Sequence, residues 1–388
     1  MDTYFDYAAT TPLSTECRET MNEYSDVFYN PSSLYRSSVA AKTDLHELRV
    51  RLAKKLQVQE SEVVFTSGAT EANNLVLRGI ADSFECPHVL ISAVEHSSIY
   101  ETARSLAASG RIELDIVAVL PSGRVDMADL AAKVTDQTVL VSVIHTNNET
   151  GVVQSMRKLH EVIAATKAKR SSGLPLYFHT DAAQSAVTQL ITAKSMMVDL
   201  MTINGSKLYG PKASGCLVKR RHVQLSPQIT GGGQEFGMRS GTENLALIAG
   251  FVQSFVAVQG AASQEHVRLQ SLQSHFEEEI IRSIDGVEVV GAQATRSPHI
   301  SSLLLPGLLD GESFVMLLNE RYGYEIASGA ACGANMDEPS HVLVAMGYSS
   351  AQVQSHIRVS FGRNTTRKSI DELLKSMSLT YNELRSIS

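Results

Sequence analysis

The stretch Asp199-Leu-Met-Thr-Ile-Asn-Gly-Ser-Lys-Leu-Tyr-Gly-Pro-Lys-Ala-Ser-Gly215 holds the side chain with the most chemistry to offer, Lys207. Leu200 to Ile203 is a short apolar run that follows an acidic residue and stops at Asn204-Gly205, the pattern of a buried strand ending in a sharp turn. A lysine held beside a buried strand end loses its proton cheaply, because desolvation disfavours the ammonium and exposes a nucleophilic amine. Such an amine forms Schiff bases with aldehyde cofactors, of which pyridoxal phosphate is the usual one. A single turn lysine is more commonly a solvated surface group, and Lys212, after Gly-Pro, reads as the exposed one of this pair. The case for Lys207 therefore rests on what surrounds it.

Four further apolar runs end in polar clusters. Phe65-Thr-Ser-Gly-Ala-Thr-Glu71 is a strand, a small-residue turn and a helix start, where free backbone N–H groups and the helix dipole suit a phosphate and Thr70 adds a hydroxyl. An ordinary N-cap has the same appearance, and no Gly-Lys-Ser/Thr follows to make it a nucleotide P-loop. His96 in Val94-Glu-His-Ser-Ser98 can lay its ring against a planar cofactor, although a single histidine is more often structural. Asn148 in Ile144-His-Thr-Asn-Asn-Glu-Thr-Gly151 can donate to a phenolic oxygen, and Asx turns explain the same cluster. In Phe178-His-Thr-Asp-Ala-Ala-Gln184, Asp181 is the carboxylate that keeps a pyridinium nitrogen protonated, Ala182 and Ala183 permit close approach, and Gln184 follows beside them. Each signal is weak alone. Together they supply a lysine, an aspartate and a phosphate cradle.

These residues require elements that bring five strand ends to one rim. Runs rich in β-branched residues (Glu62–Phe65, His88–Ile91, Leu114–Val119, Val139–Ile144 and Leu176–Phe178) read as buried strands. They alternate with helical patterns such as Glu71–Ala81 and Met156–Lys169, which implies a largely parallel sheet with helices on both faces. Ligands bind such sheets at the carboxyl ends of the strands. After Asn244 the pattern turns helical, and a long charged helix is predicted from about Ser263 to Ile284, with a domain boundary near 258–264. The 388 residues suit two domains, assigned here as 15–260 for a large domain and 1–14 plus 261–388 for a small one.

The hydrophobic fraction of 43% and mean hydropathy of -0.04 are those of a globular protein, and a net charge of -7 offers no surface for nucleic acid or anionic membrane. No apolar run approaches the roughly 20 residues of a membrane helix, and the N-terminus lacks a signal-peptide core, so a cytoplasmic protein is expected. The cysteines Cys17, Cys86, Cys216 and Cys332 stand apart without a CxxC pair, which predicts neither a disulfide framework nor a metal site. Cys17 reads as part of a first helix, Cys86 as a connection residue and Cys216 as a core residue on a strand. Cys332 differs: Ala327-Ser-Gly-Ala-Ala-Cys-Gly-Ala-Asn335 has almost nothing to anchor a core, which suggests a mobile loop carrying a reactive thiol near its tip. In His356-Ile-Arg-Val-Ser-Phe361, Ile357, Val359 and Phe361 alternate with Arg358 and Ser360, so Arg358 is predicted on the face opposite the core. A guanidinium there suits the carboxylate of an amino acid, although an exposed surface arginine has the same pattern.

The ordered set of motifs resembles the cysteine desulfurases, pyridoxal-phosphate enzymes of the class V aminotransferase family. It runs from Phe5-Asp-Tyr-Ala-Ala-Thr-Thr-Pro12 and Asn30-Pro-Ser-Ser33 through Phe65-Thr-Ser-Gly-Ala-Thr-Glu71, Glu95-His96, Asn147-Asn-Glu-Thr-Gly151 and His179-Thr-Asp-Ala-Ala-Gln-Ser185. It continues with Lys207-Leu-Tyr-Gly-Pro-Lys212, Gly231-Gly-Gly-Gln-Glu235 and Met238-Arg-Ser-Gly-Thr-Glu-Asn244. Gly329-Ala-Ala-Cys332 and Ile357-Arg-Val-Ser-Phe-Gly-Arg363 complete it. The resemblance implies the fold-type I architecture: a large, mostly parallel-sheet domain with helices on both faces, plus a smaller α/β C-terminal domain. It also implies a homodimer with pyridoxal 5'-phosphate near the subunit interface.

Carried over, Lys207 is the Schiff-base lysine, Asp181 the partner of the ring nitrogen and His96 the stacked ring. Asn148 and Gln184 lie on the oxygen side. Ala69, Thr70, Asn204 and Ser206 fall at the phosphate, with Thr242 reaching it from the other subunit. Arg358 and Asn30 bind substrate, and Cys332 takes the sulfur. The implied reaction converts L-cysteine to L-alanine and an enzyme persulfide, for an acceptor in iron–sulfur cluster assembly or tRNA thiolation. Selenocysteine lyase is a sister activity of the same site, and a scaffold without catalysis is a further alternative. Two departures are local: Asn204-Gly-Ser-Lys207 replaces the usual Ser-Gly-His-Lys, and Ser328-Gly-Ala-Ala-Cys332 replaces Ser-Gly-Ser-Ala-Cys.

Overall fold

Segments dense in Val, Ile and Leu are most stable as strands covered on both faces, and helices with one apolar stripe supply the cover. The computed structural model describes residues 3–308, 310–328 and 339–387. In chain order, α1 (Thr15–Ser25) and α2 (Arg36–Leu56) lead to β1 (Val63–Thr66), α3 (Ala69–Ser83), β2 (His88–Ser92), α4 (Ser97–Ala108) and β3 (Glu113–Val117). Then come α5 (Met127–Lys133), β4 (Thr138–Ser142), α6 (Met156–Lys167), β5 (Tyr177–Asp181), α7 (Ala193–Met196), β6 (Leu200–Asn204) and β7 (Gly215–Lys219). The remainder is α8 (Leu245–Ser283), β8 (Glu288–Val289), β9 (Ile300–Leu304), α9 (Gly311–Tyr322), β10 (Ala327–Ser328), α10 (His341–Ala345), α11 (Ser350–Gln354), β11 (His356–Ser360) and α12 (Arg367–Ile387).

The first seven strands form one sheet in the order β1-β7-β6-β5-β4-β2-β3. Only β7 runs against its neighbours β1 and β6, and the remaining pairings of this sheet are parallel. The carboxyl ends of β1, β2, β4, β5 and β6 therefore open on one rim. The expectation of a buried strand at Leu114–Val119 is corrected: β3 spans Glu113–Val117 at the sheet edge, and Glu113 and Asp115 are exposed. An edge strand has one neighbour instead of two, and exposed charged side chains there discourage pairing with other chains.

The last four strands form an antiparallel sheet in the order β10-β11-β9-β8. Phe276, Phe314, Phe361, Leu303 and Val359 fill its core, joined by Phe5 from the N-terminal segment. That segment is tied down by bridges from Tyr4 to Glu325 and from Asp6 to Ser360.

Helix α8 runs unbroken for 39 residues, through positions 258–264 where the sequence suggested a boundary. Ile248, Phe251 and Phe255 pack in the core of the larger sheet, and Leu269, Phe276 and Ile280 in that of the smaller. The estimate that no apolar run approaches membrane-span length is also corrected. Among the described residues, α8 is long and apolar enough to cross a membrane, but 61% of its most apolar window is buried within the fold. Its apolar residues are largely those that pack into the two cores.

Candidate active site

Strand β6 is buried from Leu200 to Ile203 and ends at Asn204, whose side-chain oxygen accepts from the Ser206 amide at 3.4 Å. This caps a single 3-10 turn, Gly205–Lys207, that turns Lys207 back over the rim. Lys207 is half-buried, and its Nζ donates to the carbonyl of Ala9. The same N-terminal segment grips the turn again, where the Thr11 amide and hydroxyl donate to the Ser206 carbonyl at 2.9 and 3.0 Å. Lys212 is exposed, as the sequence suggested.

Asp181 ends β5, next to β6, and is buried. Its Oδ1 accepts from the Ala183 amide at 2.9 Å and its Oδ2 from Asn73 Nδ2 at 2.8 Å. Asn73 also donates to Ser98 Oγ at 2.8 Å, and that hydroxyl lies 2.8 Å from His96 Nδ1. The Ser98 amide donates to the same Nδ1 at 3.1 Å, so Nδ1 is the acceptor and the ring proton is assigned to Nε2. Burial is the largest influence holding His96 below the ordinary histidine pKa. Lys207 and His341 act in the same direction and Asp181 against it. Asp181 and Lys207, from two other strand ends, thus both lie close enough to His96 to bear on its charge.

Gln184 is buried with both ends of its amide engaged: Nε2 donates to the Ala8 carbonyl at 2.8 Å, and Oε1 lies 3.0 Å from His299 Nε2. Burial pushes His299 down to about 3, leaving a neutral ring whose Nε2–H fits that oxygen. Arg358 departs from the expected open face. Every residue of β11 is buried, Arg358 included, because the N-terminal segment and the Asn148 loop cover the side opposite the core. Its guanidinium donates to Asp6 Oδ1 at 2.7 Å and to the Asn148 carbonyl at 2.9 Å.

At β1, Gly68 is the N-cap of α3 with φ of 122°, a region closed to most L-residues. It has no side chain to cap the helix, so the first-turn amides of Ala69 and Thr70 remain available to an anion. Asn204 Oδ1 lies 3.5 Å from where a Cβ on Gly68 would be, which places the β6 turn beside this helix start. Thr70 is exposed. Thr242, also exposed, lines a cavity of about 280 Å³ together with Ser67, Ser214 and Arg239. Asn30 lies apart in an exposed turn, where its Oδ1 accepts from the Ser32 amide at 2.9 Å. Cys332 lies outside the described residues. Cys17 and Cys216 are buried and Cys86 is exposed.

Asn73, Ser98 and Glu95 were not singled out by the sequence reading as site residues. Asn73 lies on the stripe of α3 that also buries Ala69, Ala72, Val76 and Ile80, and a lone amide in an apolar stripe was the available signal.

The family model for aminotransferase class V matches residues 3–373. The chain belongs to that family. It is 33% identical over 390 residues to a protein named cysteine desulfurase IscS from Dictyoglomus turgidum, covering 100% of this chain and 96% of that one. A solved NifS-like protein superposes with a TM-score of 0.90 at 27% identity, covering 99% of this chain and 100% of that chain. SspA, solved in complex with cysteine, gives a TM-score of 0.78 at 30% identity, covering 94% of this chain and 100% of that chain. Enzymes of this class depend on pyridoxal phosphate, and the residues present fit it: an amine at Lys207, a carboxylate at Asp181, a neutral ring at His96 and an uncapped helix start at Gly68. Among the described residues no cluster of three or more His, Cys, Asp or Glu could hold a metal ion.

Proposed function

We propose that this protein is a cytoplasmic cysteine desulfurase that takes the sulfur of L-cysteine onto Cys332, releases L-alanine and passes the persulfide to a protein of iron–sulfur cluster assembly or tRNA thiolation. The observation that carries the reading is the placement of Lys207 and Asp181 at the ends of adjacent strands, with His96 within reach of both charges. Pyridoxal phosphate, when bound, supplies an aldehyde that captures the substrate amine and a ring that takes up electrons from the α-carbon.

The chain's own residues do the rest. Lys207 Nζ is the base that removes the α-proton. Asp181, fixed by Asn73 and the Ala183 amide, holds a proton at the ring nitrogen. His96 presents a neutral face with its proton on Nε2. Arg358 receives the substrate carboxylate, exchanging part of its present bonding to Asp6 and the Asn148 carbonyl. The Cys332 thiolate forms a bond to the substrate sulfur as the Cβ–S bond breaks. The electron pair stays on carbon, which takes a proton and leaves as alanine.

A homodimer is part of the proposal. Phe28, Leu34 and Tyr35 are 82%, 94% and 71% exposed, an apolar patch suited to a subunit interface, and Thr242 would extend from one protomer toward its partner's phosphate site. The test is alanine and sulfide release from L-cysteine, with and without a reductant, alongside L-selenocysteine. Lys207→Ala is expected to be colourless and inactive, and Cys332→Ser to stay yellow but form no persulfide. An active, colourless Lys207→Ala protein overturns the reading, and a clear preference for L-selenocysteine reassigns the substrate.

A further inference from the structure

Glu95, in the turn after β2, is fully buried. Its Oε1 accepts from Ser92 Oγ at 2.5 Å and from the Ile144 amide at 2.6 Å, joining the end of β2 to the end of β4. Its Oε2 is enclosed and has no hydrogen-bond partner among the described residues. Among the described residues no Lys or Arg pairs with this carboxyl. Around it, the charged group that bears on it most is Asp181 from β5, of the same sign. His96 is next in sequence and kept neutral. His341 of α10 spends Nε2 on the Glu95 carbonyl at 2.9 Å, and His145, beyond Ile144, is held neutral by burial. An ionised carboxylate in such a place keeps the two hydrogen bonds at Oε1, which favour it, but has lost its water, and that loss outweighs them, so it takes a proton instead.

We propose that Glu95 works as a neutral carboxylic acid, a positioning residue that ties together the ends of β2 and β4 and leaves Asp181 the single negative charge at the ring-nitrogen end of the site. The role given to Asp181 rests on the desulfurase reading, whereas the protonation of Glu95 does not. The direction of its pKa agrees: burial, with Asp181 adding to it, pushes Glu95 up to about 8. Ionised, Glu95 would place a second negative charge near Asp181. Like charges in a dry site repel, so a neutral Glu95 leaves that end of the site to Asp181. His96, one residue along, also depends on this turn for its position.

The test uses the purified full-length protein, with and without pyridoxal phosphate. Infrared difference spectra of wild type should show a carboxylic-acid C=O band that titrates away above about pH 8. The band should vanish in Glu95→Gln and persist in Glu243→Gln, the control for a second carboxyl that burial raises among the described residues. Since the folded-state value exceeds the ordinary 4.5, the folded chain holds an extra proton between about 4.5 and about 8 and loses stability as pH rises through that window. Glu95→Gln removes this loss, so its Tm relative to wild type should climb across the same window. Gln also mimics the neutral acid, so Glu95→Gln should keep the cofactor absorbance, while Glu95→Ala, which orphans two donors, should bind the cofactor about tenfold more weakly.

Absence of the band, or a Tm difference flat with pH, overturns the proposal. Both readouts are taken on cofactor-free protein, so they stand whether or not the chain proves to be a desulfurase.

Discussion

Arg358 already carries the bonding pattern a substrate carboxylate would exploit, with one guanidinium nitrogen on a carboxylate and another on a carbonyl. A lysine keeps the charge but not the planar fork. Arg358→Lys is therefore expected to raise KM for L-cysteine about 10- to 100-fold with a smaller change in kcat, the scale of one charged hydrogen bond, as steady-state kinetics would show. Asn73 is the second residue on which the site depends, since one amide serves both Asp181 and Ser98. Asn73→Ala should cost about 1–3 kcal/mol of stability and weaken cofactor binding, measured by urea unfolding and by titration of the visible absorbance.

The difference between these two residues shows what the sequence could convey. Arg358 was visible because it stands on the polar side of an alternation with Ile357, Val359 and Phe361, yet its burial was not. The cover comes from residues 6 and 148, far away along the chain. Asn73 looked like a helix residue among others, and only its contact with Asp181, 108 positions on, gives it meaning.

At the level of elements, the strand ends and the start of α3 meet through two glycines. A Cβ on Gly215 would collide with the Ile203 carbonyl oxygen and stand 3.0 Å from Gly68 Cα. Gly215→Ala must therefore push β7 away from β6 or displace Gly68 from the helix start. A loss of about 1–3 kcal/mol is expected, together with weaker phosphate binding, read by denaturation and cofactor titration.

The loop holding Thr242 depends on a buried ion pair. Arg49 from α2 bonds both oxygens of Glu235 at 2.6 and 2.7 Å, Glu235 accepts from the Phe65 amide at 2.8 Å, and Glu235 and Phe236 both sit at positive φ. Removing one partner of a buried pair leaves the other uncompensated, so Arg49→Ala should cost about 3–5 kcal/mol by chemical denaturation. The alternation of strands and helices, and the rim it creates, were legible in the sequence because periodicity is local. The edge position of β3 and this cross-link were not, because they depend on strand order and on side chains distant in sequence.

Among the described residues, four histidines besides His96 are held neutral by burial: His145 at about 4, and His179, His299 and His356 at about 3. Their values lie below the ordinary 6.5, so the unfolded chain binds more protons between the two limits. Their contribution is complete above about pH 6.5 and is lost as pH falls. Each ring should steepen acid destabilisation by up to about 1.4 kcal/mol per pH unit, which urea midpoints taken from about pH 7 to about pH 5 would reveal. The exposed patch of Phe28, Leu34 and Tyr35 gives a second whole-molecule expectation. Leu34→Asp should shift the protein toward monomer in sedimentation velocity and reduce cofactor retention with it.

Helix α8 threads both hydrophobic centres as one rod of 39 residues, about 58 Å long at 1.5 Å per residue. Neither centre can melt without fraying a piece of the other, so calorimetry should record one cooperative heat-absorption peak. A chain severed near residue 260 should yield two insoluble fragments in place of two independent folding units.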